Sequence, residues 1–147
     1  MRRYVLPCAV FALGIAAPAG LTAAETILPG HWEATYTVMG VGKTEKWCIQ
    51  PKDIAKFMHG PSNHIYKCEY PVSTTENGVI RFEGECRSRK GRHAFLKGEG
   101  AYTPTTLKVK VEIKGGVKLA GIPITVTPSM KARLLSESCP ADAKMFK

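Results

Sequence analysis

Apolar and polar residues alternate along most of this chain. Every second residue is apolar from Trp32 to Val38, and the same alternation runs from Leu107 to Ile113. Strict alternation places apolar side chains on one face of a β-strand. We therefore predict seven or eight strands, separated by turns rich in glycine, proline and asparagine, near residues 32–38, 44–49, 64–70, 80–86, 93–102, 107–113, 124–127 and 130–139.

One segment breaks this pattern. Residues 45–57, EKWCIQPKDIAKF, begin as a strand and continue as a short helix near residues 51–58. Pro51 suits the first turn of a helix, where its missing N–H leaves no hydrogen bond unmade. Ile54, Phe57 and Met58 share the apolar face, and the sequence 59–61, HGP, ends the helix.

Strands that follow one another through short turns form an antiparallel meander, which removes its exposed edges by curling. The predicted fold is therefore mainly β, a curved antiparallel meander that forms a barrel or half-barrel. We expect a lipocalin-like outline, with the short helix plugging one end. Gly98 and Gly100 lie inside a predicted strand, which indicates a bulge or the close approach of a neighbour.

The first 24 residues have the plan of a secretory signal peptide. Arg2 and Arg3 precede an apolar run from Tyr4 to Ile15, and small residues follow up to Ala24. The apolar run is shorter than the roughly 20 residues of a spanning helix. We expect residues 1–24 to be removed and residues 25–147 to form a single β domain, which works in the periplasm of a Gram-negative bacterium or is secreted.

The predicted mature chain is basic. Of the 21 Lys and Arg residues, Arg2 and Arg3 are removed, which leaves 19 against 12 Asp and Glu, or a charge of +7. Such a charge favours attraction to anionic surfaces, which outside the cytoplasm are lipid head groups, cell-wall polymers or acidic proteins. Nucleic acid is not an expected partner of an exported protein.

Four cysteines remain after cleavage, and an even number in an exported chain predicts two disulfides. The sequence allows three pairings. The pairing that we favour joins Cys48 to Cys68 and Cys86 to Cys139, because the first bond would tie the helical segment to the next strand. No Cys-x-x-Cys or His-x-x-x-His spacing indicates a metal site, and we expect no metal and no cofactor.

The order of several short segments resembles a known family. Residues 29–33 read PGHWE, residues 48–51 read CIQP before the helix, and Cys68, Cys86, the strand at 98–102 and Cys139 follow in turn. This order resembles the small exported bacterial proteins of the domain of unknown function 3617 family. The resemblance implies export, disulfides and a β fold, and it implies no reaction.

The sequence contains no motif of a catalytic or phosphate-binding site. It lacks the Gly-x-Ser-x-Gly turn of serine hydrolases and the phosphate-binding Gly-x-x-x-x-Gly-Lys. Glu83 and Glu85 lie on one face of a strand, where paired carboxylates are usually solvated. We expect no catalytic residues and no enzymatic activity.

Two groups of residues are candidates for binding. Clustered arginines and lysines can bind an anionic group, and the candidates for such a rim are Arg87, Arg89, Lys90 and Arg92, with Lys108, Lys110, Lys114 and Lys118 on or near a later strand. Aromatic side chains inside a slightly open barrel can line an apolar cavity, and the candidates are Trp32, Tyr36, Trp47, Phe82, Phe95 and Tyr102.

These groups lead to two hypotheses. The first is a non-enzymatic periplasmic binding module for a small apolar or amphiphilic ligand. The alternative is a protein-binding inhibitor or immunity factor against an exported enzyme, because a rigid, disulfide-bonded domain loses little entropy on binding. The sequence names neither the ligand nor the protein partner.

Overall fold

The computed structural model describes residues 26–58 and 66–146. The predicted signal peptide, Cys8 and the HGP sequence after the helix lie outside these residues. A 3-10 turn (Pro51–Asp53) leads into the helix α1 (Ile54–Met58), and the strands of the described residues are β1 (Gly30–Val38), β2 (Val41–Ile49), β3 (Tyr66–Glu76), β4 (Val79–Ser88), β5 (His93–Thr103), β6 (Thr106–Leu119), β7 (Ile122–Val126) and β8 (Ser129–Ser136).

The eight strands form one antiparallel sheet, which confirms the predicted fold class. Its order is β2-β1-β8-β6-β5-β4-β3, and β7 pairs with the part of β6 beyond β8. Strands β3 to β6 follow one another as the predicted meander, whereas β8 inserts between β1 and β6. The edges β2 and β3 do not meet within the described sheet, so it is a half-barrel.

The strand registers define two ends of this half-barrel. One end, called the tip end here, carries the turns at 39–40, 89–92 and 120–121, which join β1 to β2, β4 to β5 and β6 to β7. The other end, called the base end, carries the turns at 77–78 and 104–105. The last residues of β2 and β8 also lie there, since His31 pairs with both Cys48 and Ser136.

The inner, concave face carries the apolar residues that the alternation predicts. Trp32, Ala34, Ile80, Phe82 and Leu107 are almost completely buried. The Trp32 indole N–H donates a hydrogen bond of 3.0 Å to the Leu28 carbonyl oxygen, so the buried ring leaves no polar group unpaired. Full burial of each large side chain stabilises the fold by about 1.5–3 kcal/mol.

Gly98 is explained by close approach, one of the two predicted alternatives. It pairs with Phe82 of β4 and Val111 of β6 without a register shift in either ladder. A Cβ atom on Gly98 would lie 2.0 Å from Cζ of the Phe82 ring, so the ring packs directly over the glycine backbone. Only a residue without a side chain allows this packing.

The prediction that the third strand ends before Pro71 is wrong. Strand β3 continues to Glu76, with a register shift between Glu69 and Val72 where Tyr70 and Pro71 form a bulge. An edge strand tolerates proline at a bulge, because the missing N–H has no ladder partner there. Gly84 lies opposite, where a Cβ atom would be 2.0 Å from the Glu69 carbonyl oxygen.

The glycine-rich stretch between the predicted strands at 107–113 and 124–127 is a regular hairpin, because β6 continues to Leu119 and β7 begins at Ile122. Strand β6 bends at Gly115 and Gly116, where the register shifts, and then pairs with β7 up to Leu119 opposite Ile122. The two glycines permit the bend because Gly115 has a φ of +85° and Gly116 lies against Ala94. This hairpin extends the tip end beyond β8.

The favoured disulfide pairing is also wrong. The bonds are Cys68–Cys86 and Cys48–Cys139. Cys68 and Cys86 lie directly opposite each other on β3 and β4, with Cα atoms 4.0 Å apart. Disulfides persist in oxidising compartments, so the protein folds outside the cytoplasm. No helix of the described residues is long and apolar enough to cross a membrane.

Candidate ligand-binding cavity

The concave face of the half-barrel is not filled completely. A cavity of about 340 Å³ remains between the sheet and the segments that cover it. This volume lies at the lower end of the roughly 300–1,000 Å³ that is typical of small-molecule sites. The side chains around it are predominantly apolar, and they are Tyr36, Val38, Lys56, Phe57, Met58, Phe82, Val109, Val111, Ile113, Pro128, Ser129, Met130 and Phe146.

The helix α1 forms one part of the cover. Phe57 and Met58 are buried against the sheet, as the predicted apolar face requires. The Phe57 ring lies 6.1 Å from the Trp32 ring and 5.3 Å from the Phe146 ring, measured between centroids. These contacts hold the helix over the concave face of the half-barrel, and Phe57 and Met58 thereby form part of the cavity wall.

The C-terminal segment forms the other part of the cover. The Cys48–Cys139 disulfide binds it to the end of β2. The Cys48 N–H donates to the Lys144 carbonyl oxygen at 2.8 Å, and the Phe146 N–H donates to the Cys48 carbonyl oxygen at 3.0 Å. The cysteine at the strand-to-helix switch therefore holds the chain's last aromatic residue against Trp47, at 5.8 Å, and into the cavity wall.

The structure divides the predicted lining residues into three groups. Tyr36 and Phe82 line the cavity. Trp32, Trp47 and Tyr102 are buried in the packed core beside it, and Trp47 forms an edge contact of 5.6 Å with Tyr36. Phe95 does not face inward at all.

The prediction for Phe95 is wrong because alternation on one strand has a fixed phase. Ala94, Leu96 and Tyr102 of β5 are buried, which places the odd-numbered residues of this strand outside. Phe95 is 54% exposed and pairs with Glu85 and Lys114 on the outer face. Its aromatic character, which favoured the inner face, is overridden by the strand period.

The cavity wall contains two polar groups, the Tyr36 phenol and the Lys56 ammonium group. Burial raises the pKa of the Tyr36 phenol well above its usual value, with a smaller contribution from the Glu45 carboxylate. The hydroxyl of Tyr36 makes no hydrogen bond to the described residues. Lys56 is exposed and is the charged residue among those that line the cavity. A neutral phenol and an ammonium group suit a ligand with one polar or anionic head.

The residues of the predicted basic rim lie at the tip end and do not line the cavity. Arg87, Arg89, Lys90 and Arg92 are exposed in and beside the β4–β5 turn, and none of them lines the cavity. Arg87 forms an ion pair of 3.1 Å with Glu85. Lys108 and Lys110 lie on the outer face, with Lys131 directly opposite Lys108.

The outer face carries ion pairs and two open depressions. Lys97 contacts Glu83 at 2.9 Å, and Arg133 contacts Glu33 at 2.9 Å. The hydrogen bond from Arg133 lowers the pKa of Glu33, against the opposing effect of desolvation. The depressions have volumes of about 490 and 400 Å³. They are larger than the inner cavity, but they are bordered by exposed charged side chains, so the inner cavity is the better candidate for an apolar ligand.

A family comparison supplies the evolutionary context for this arrangement. The model of the protein family described as "Protein of unknown function (DUF3617)" matches residues 27–139. The chain belongs to this family. The matched region begins before β1 and ends at Cys139, so it includes the whole described sheet and both disulfides. No curated protein and no solved structure matches the chain.

Sequence reasoning missed most of the cavity wall. The alternation places Val109, Val111 and Ile113 on the inner face correctly, but no local signal distinguishes a residue at a void from one in a filled core. Phe146 stands near the chain end after a cysteine, and its role depends on the Cys48–Cys139 bond. The described residues include no cluster of His, Cys, Asp or Glu that could bind a metal ion.

Proposed function

We propose that this DUF3617 protein is a non-enzymatic binding module of the periplasm of a Gram-negative bacterium. Its ligand is a small apolar or amphiphilic molecule, held in the cavity between the half-barrel and its cover. The observation that carries the proposal is the apolar cavity itself, which is left open beside a group of closely packed aromatic rings.

The wall of the cavity matches an amphiphile better than a fully polar molecule. Val109, Val111, Ile113 and Met130 offer aliphatic contacts on the sheet side. Transfer of apolar ligand surface from water onto such a wall is favourable by about 25 cal/mol for each Å² buried. Lys56 and the Tyr36 hydroxyl supply the polar groups that orient a head group. The wall contains no carboxylate and no imidazole among the described residues, and such groups are the usual proton carriers in catalysis.

A cavity-filling variant tests the proposal. Val111 is 9% exposed and lines the cavity, so Val111→Phe directs a ring into the void. The protein should bind a fluorescent fatty acid with a blue-shifted emission, and Val111→Phe should weaken this binding about tenfold or more, because the ring occupies the ligand's volume. Val72→Phe is the matched control, since Val72 is 47% exposed on the edge strand β3. Equal binding by both variants would exclude the cavity as the site.

A further inference from the structure

Large apolar side chains are exposed beside two turns of the tip end, the β1–β2 turn and the β6–β7 turn. Met39 and Val41 beside the β1–β2 turn are 68% and 76% exposed. Leu119 and Ile122 beside the β6–β7 turn are 63% and 67% exposed, and they form a cross-strand pair. Single exposed apolar residues are ordinary, but exposed apolar residues grouped at loop ends mark interaction sites.

The backbone at Met39 strengthens this reading. Met39 and Gly40 occupy a two-residue hairpin turn with positive φ angles of 50° and 83°. Asparagine, aspartate or glycine is favoured at the first position of such a turn, because other side chains are strained there. The Asn77-Gly78 turn at the base end follows that preference, with φ angles of 51° and 77°. A methionine that accepts this strain and stays exposed indicates a use for its side chain.

The two ends of the half-barrel differ in the charge of their connections. The described connections of the tip end, residues 38–41, 88–93, 119–122 and 126–129, contain three Lys and Arg residues and no Asp or Glu, namely Arg89, Lys90 and Arg92. Those of the base end, residues 49–53, 76–79, 103–106 and 136–146, contain four acidic and two basic residues, namely Asp53, Glu76, Glu137, Asp142, Lys52 and Lys144.

We propose that the tip end docks on an anionic lipid surface. Exposed apolar residues inserted at the head-group boundary, surrounded by Lys and Arg, are the combination by which peripheral proteins bind such surfaces. Met39, Val41, Leu119 and Ile122 are the inserted residues, and the β4–β5 turn supplies cations for the phosphates. Docking requires no occupant of the cavity, so this proposal stands or fails separately from the proposed ligand.

The outer face is a weaker candidate for the same partner. Lys108, Lys110 and Lys131 are close together there, but Glu99 pairs with Lys110 in the ladder. The groove beside them is lined by charged side chains together with Val79, Val109 and Met130. Val79 is 42% exposed, less than any of the four apolar residues at the tip end. The groove therefore offers electrostatic attraction with less apolar surface to insert, which makes these lysines a matched control for net charge.

Co-sedimentation with vesicles tests the docking. The disulfide-bonded protein should bind vesicles of equal parts phosphatidylcholine and phosphatidylglycerol, and bind pure phosphatidylcholine vesicles much more weakly. The double variant Leu119→Ser/Ile122→Ser and the triple variant Arg89→Gln/Lys90→Gln/Arg92→Gln should each weaken binding to the mixed vesicles about tenfold or more. Lys108→Gln/Lys110→Gln/Lys131→Gln removes the same charge from the outer face and should cost at most a few-fold.

Met39→Asn separates docking from folding. Asparagine suits the positive φ, so this variant should raise the urea midpoint or leave it unchanged while it weakens vesicle binding. Equal loss of binding in the two charge variants would mean that net charge alone acts, and the docking proposal would then fail. A dimer in light scattering that Leu119→Ser/Ile122→Ser abolishes, without vesicle binding, would instead assign the tip end to a second copy of the chain.

Discussion

The contact between Gly98 and Phe82 allows the account of the half-barrel to be tested with a single methyl group. Gly98→Ala would place a Cβ atom 2.0 Å from Cζ and 2.4 Å from both Cε atoms of the Phe82 ring. The ring is 1% exposed and lies 5.3 Å from the Tyr70 ring in an edge contact. Because the ring also borders the cavity, it can move away only into that space and at the expense of its contact with Tyr70. The new methyl group therefore overpacks this part of the inner face.

The expected cost follows from two opposing contributions. Overpacking a well-packed core typically lowers the free energy of unfolding by about 1–3 kcal/mol. Replacement of glycine by alanine restricts the unfolded chain, which returns about 0.4–1 kcal/mol. The net prediction is a loss of about 1–2 kcal/mol, or a fall of about 1 M in the urea midpoint for a typical denaturant slope.

Urea unfolding followed by tryptophan fluorescence, with both disulfides intact, measures this loss. Gly42→Ala is the control, because the nearest atom to its Cβ, the Tyr36 carbonyl oxygen, lies 3.7 Å away. It should be neutral or slightly stabilising. In a Phe82→Leu background, which lacks the ring edge, the cost of Gly98→Ala should nearly vanish. The reasoning is refuted if Gly98→Ala is as stable as Gly42→Ala, or if its cost is unchanged in that background.

Three further predictions follow from the bonds and ion pairs. Cys48→Ala/Cys139→Ala should destabilise the protein more than Cys68→Ala/Cys86→Ala in urea unfolding, by about 4–5 against about 3 kcal/mol, because the bonds close loops of 91 and 18 residues; the opposite order would contradict this. Burial raises the pKa of Tyr70 to about 12 and that of Tyr36 above its usual range, so the unfolded chain loses these protons first. Stability should be unaffected by them below pH 10 and fall above it, and a tyrosinate absorbance titration in which every tyrosine ionises near 10 would argue against the burial. Arg133→Gln should raise the pKa of Glu33 in a carbon-13 NMR titration, because it removes the largest cause of its lowered pKa; an unchanged pKa would show that the pair does not persist in solution.

Local patterns predict the strands of this protein well, because side-chain alternation is a property of neighbouring residues. Ala34, Phe82 and Val109 face inward as predicted, and the stretch between the predicted strands at 64–70 and 80–86 contains the Asn77-Gly78 turn. The disulfide partner of Cys68 depends on the register of β3 against β4. Cys68 and Cys86 face each other on the tip-end side of the bulge at Tyr70 and Pro71. No local signal in the sequence shows this pairing.

The candidate site was less predictable than the fold, because it depends on contacts between distant segments. The cavity exists where α1 and Phe146 cover the sheet, and Phe146 reaches it only through the bond between Cys48 and Cys139. The sequence alone indicates that the basic turn at Arg89 is a candidate for anion binding, but its place at the tip end, outside the cavity wall, follows from the strand order.

Native mass spectrometry of the protein, isolated gently from its own compartment, tests the binding-module proposal most directly. The account predicts a discrete added mass of a small molecule, present on the wild type and on Val72→Phe and lost from Val111→Phe. A protein-sized addition would favour the inhibitor or immunity factor instead. The bare mass for all three proteins, with two disulfides formed, would contradict the proposal that the cavity carries a ligand.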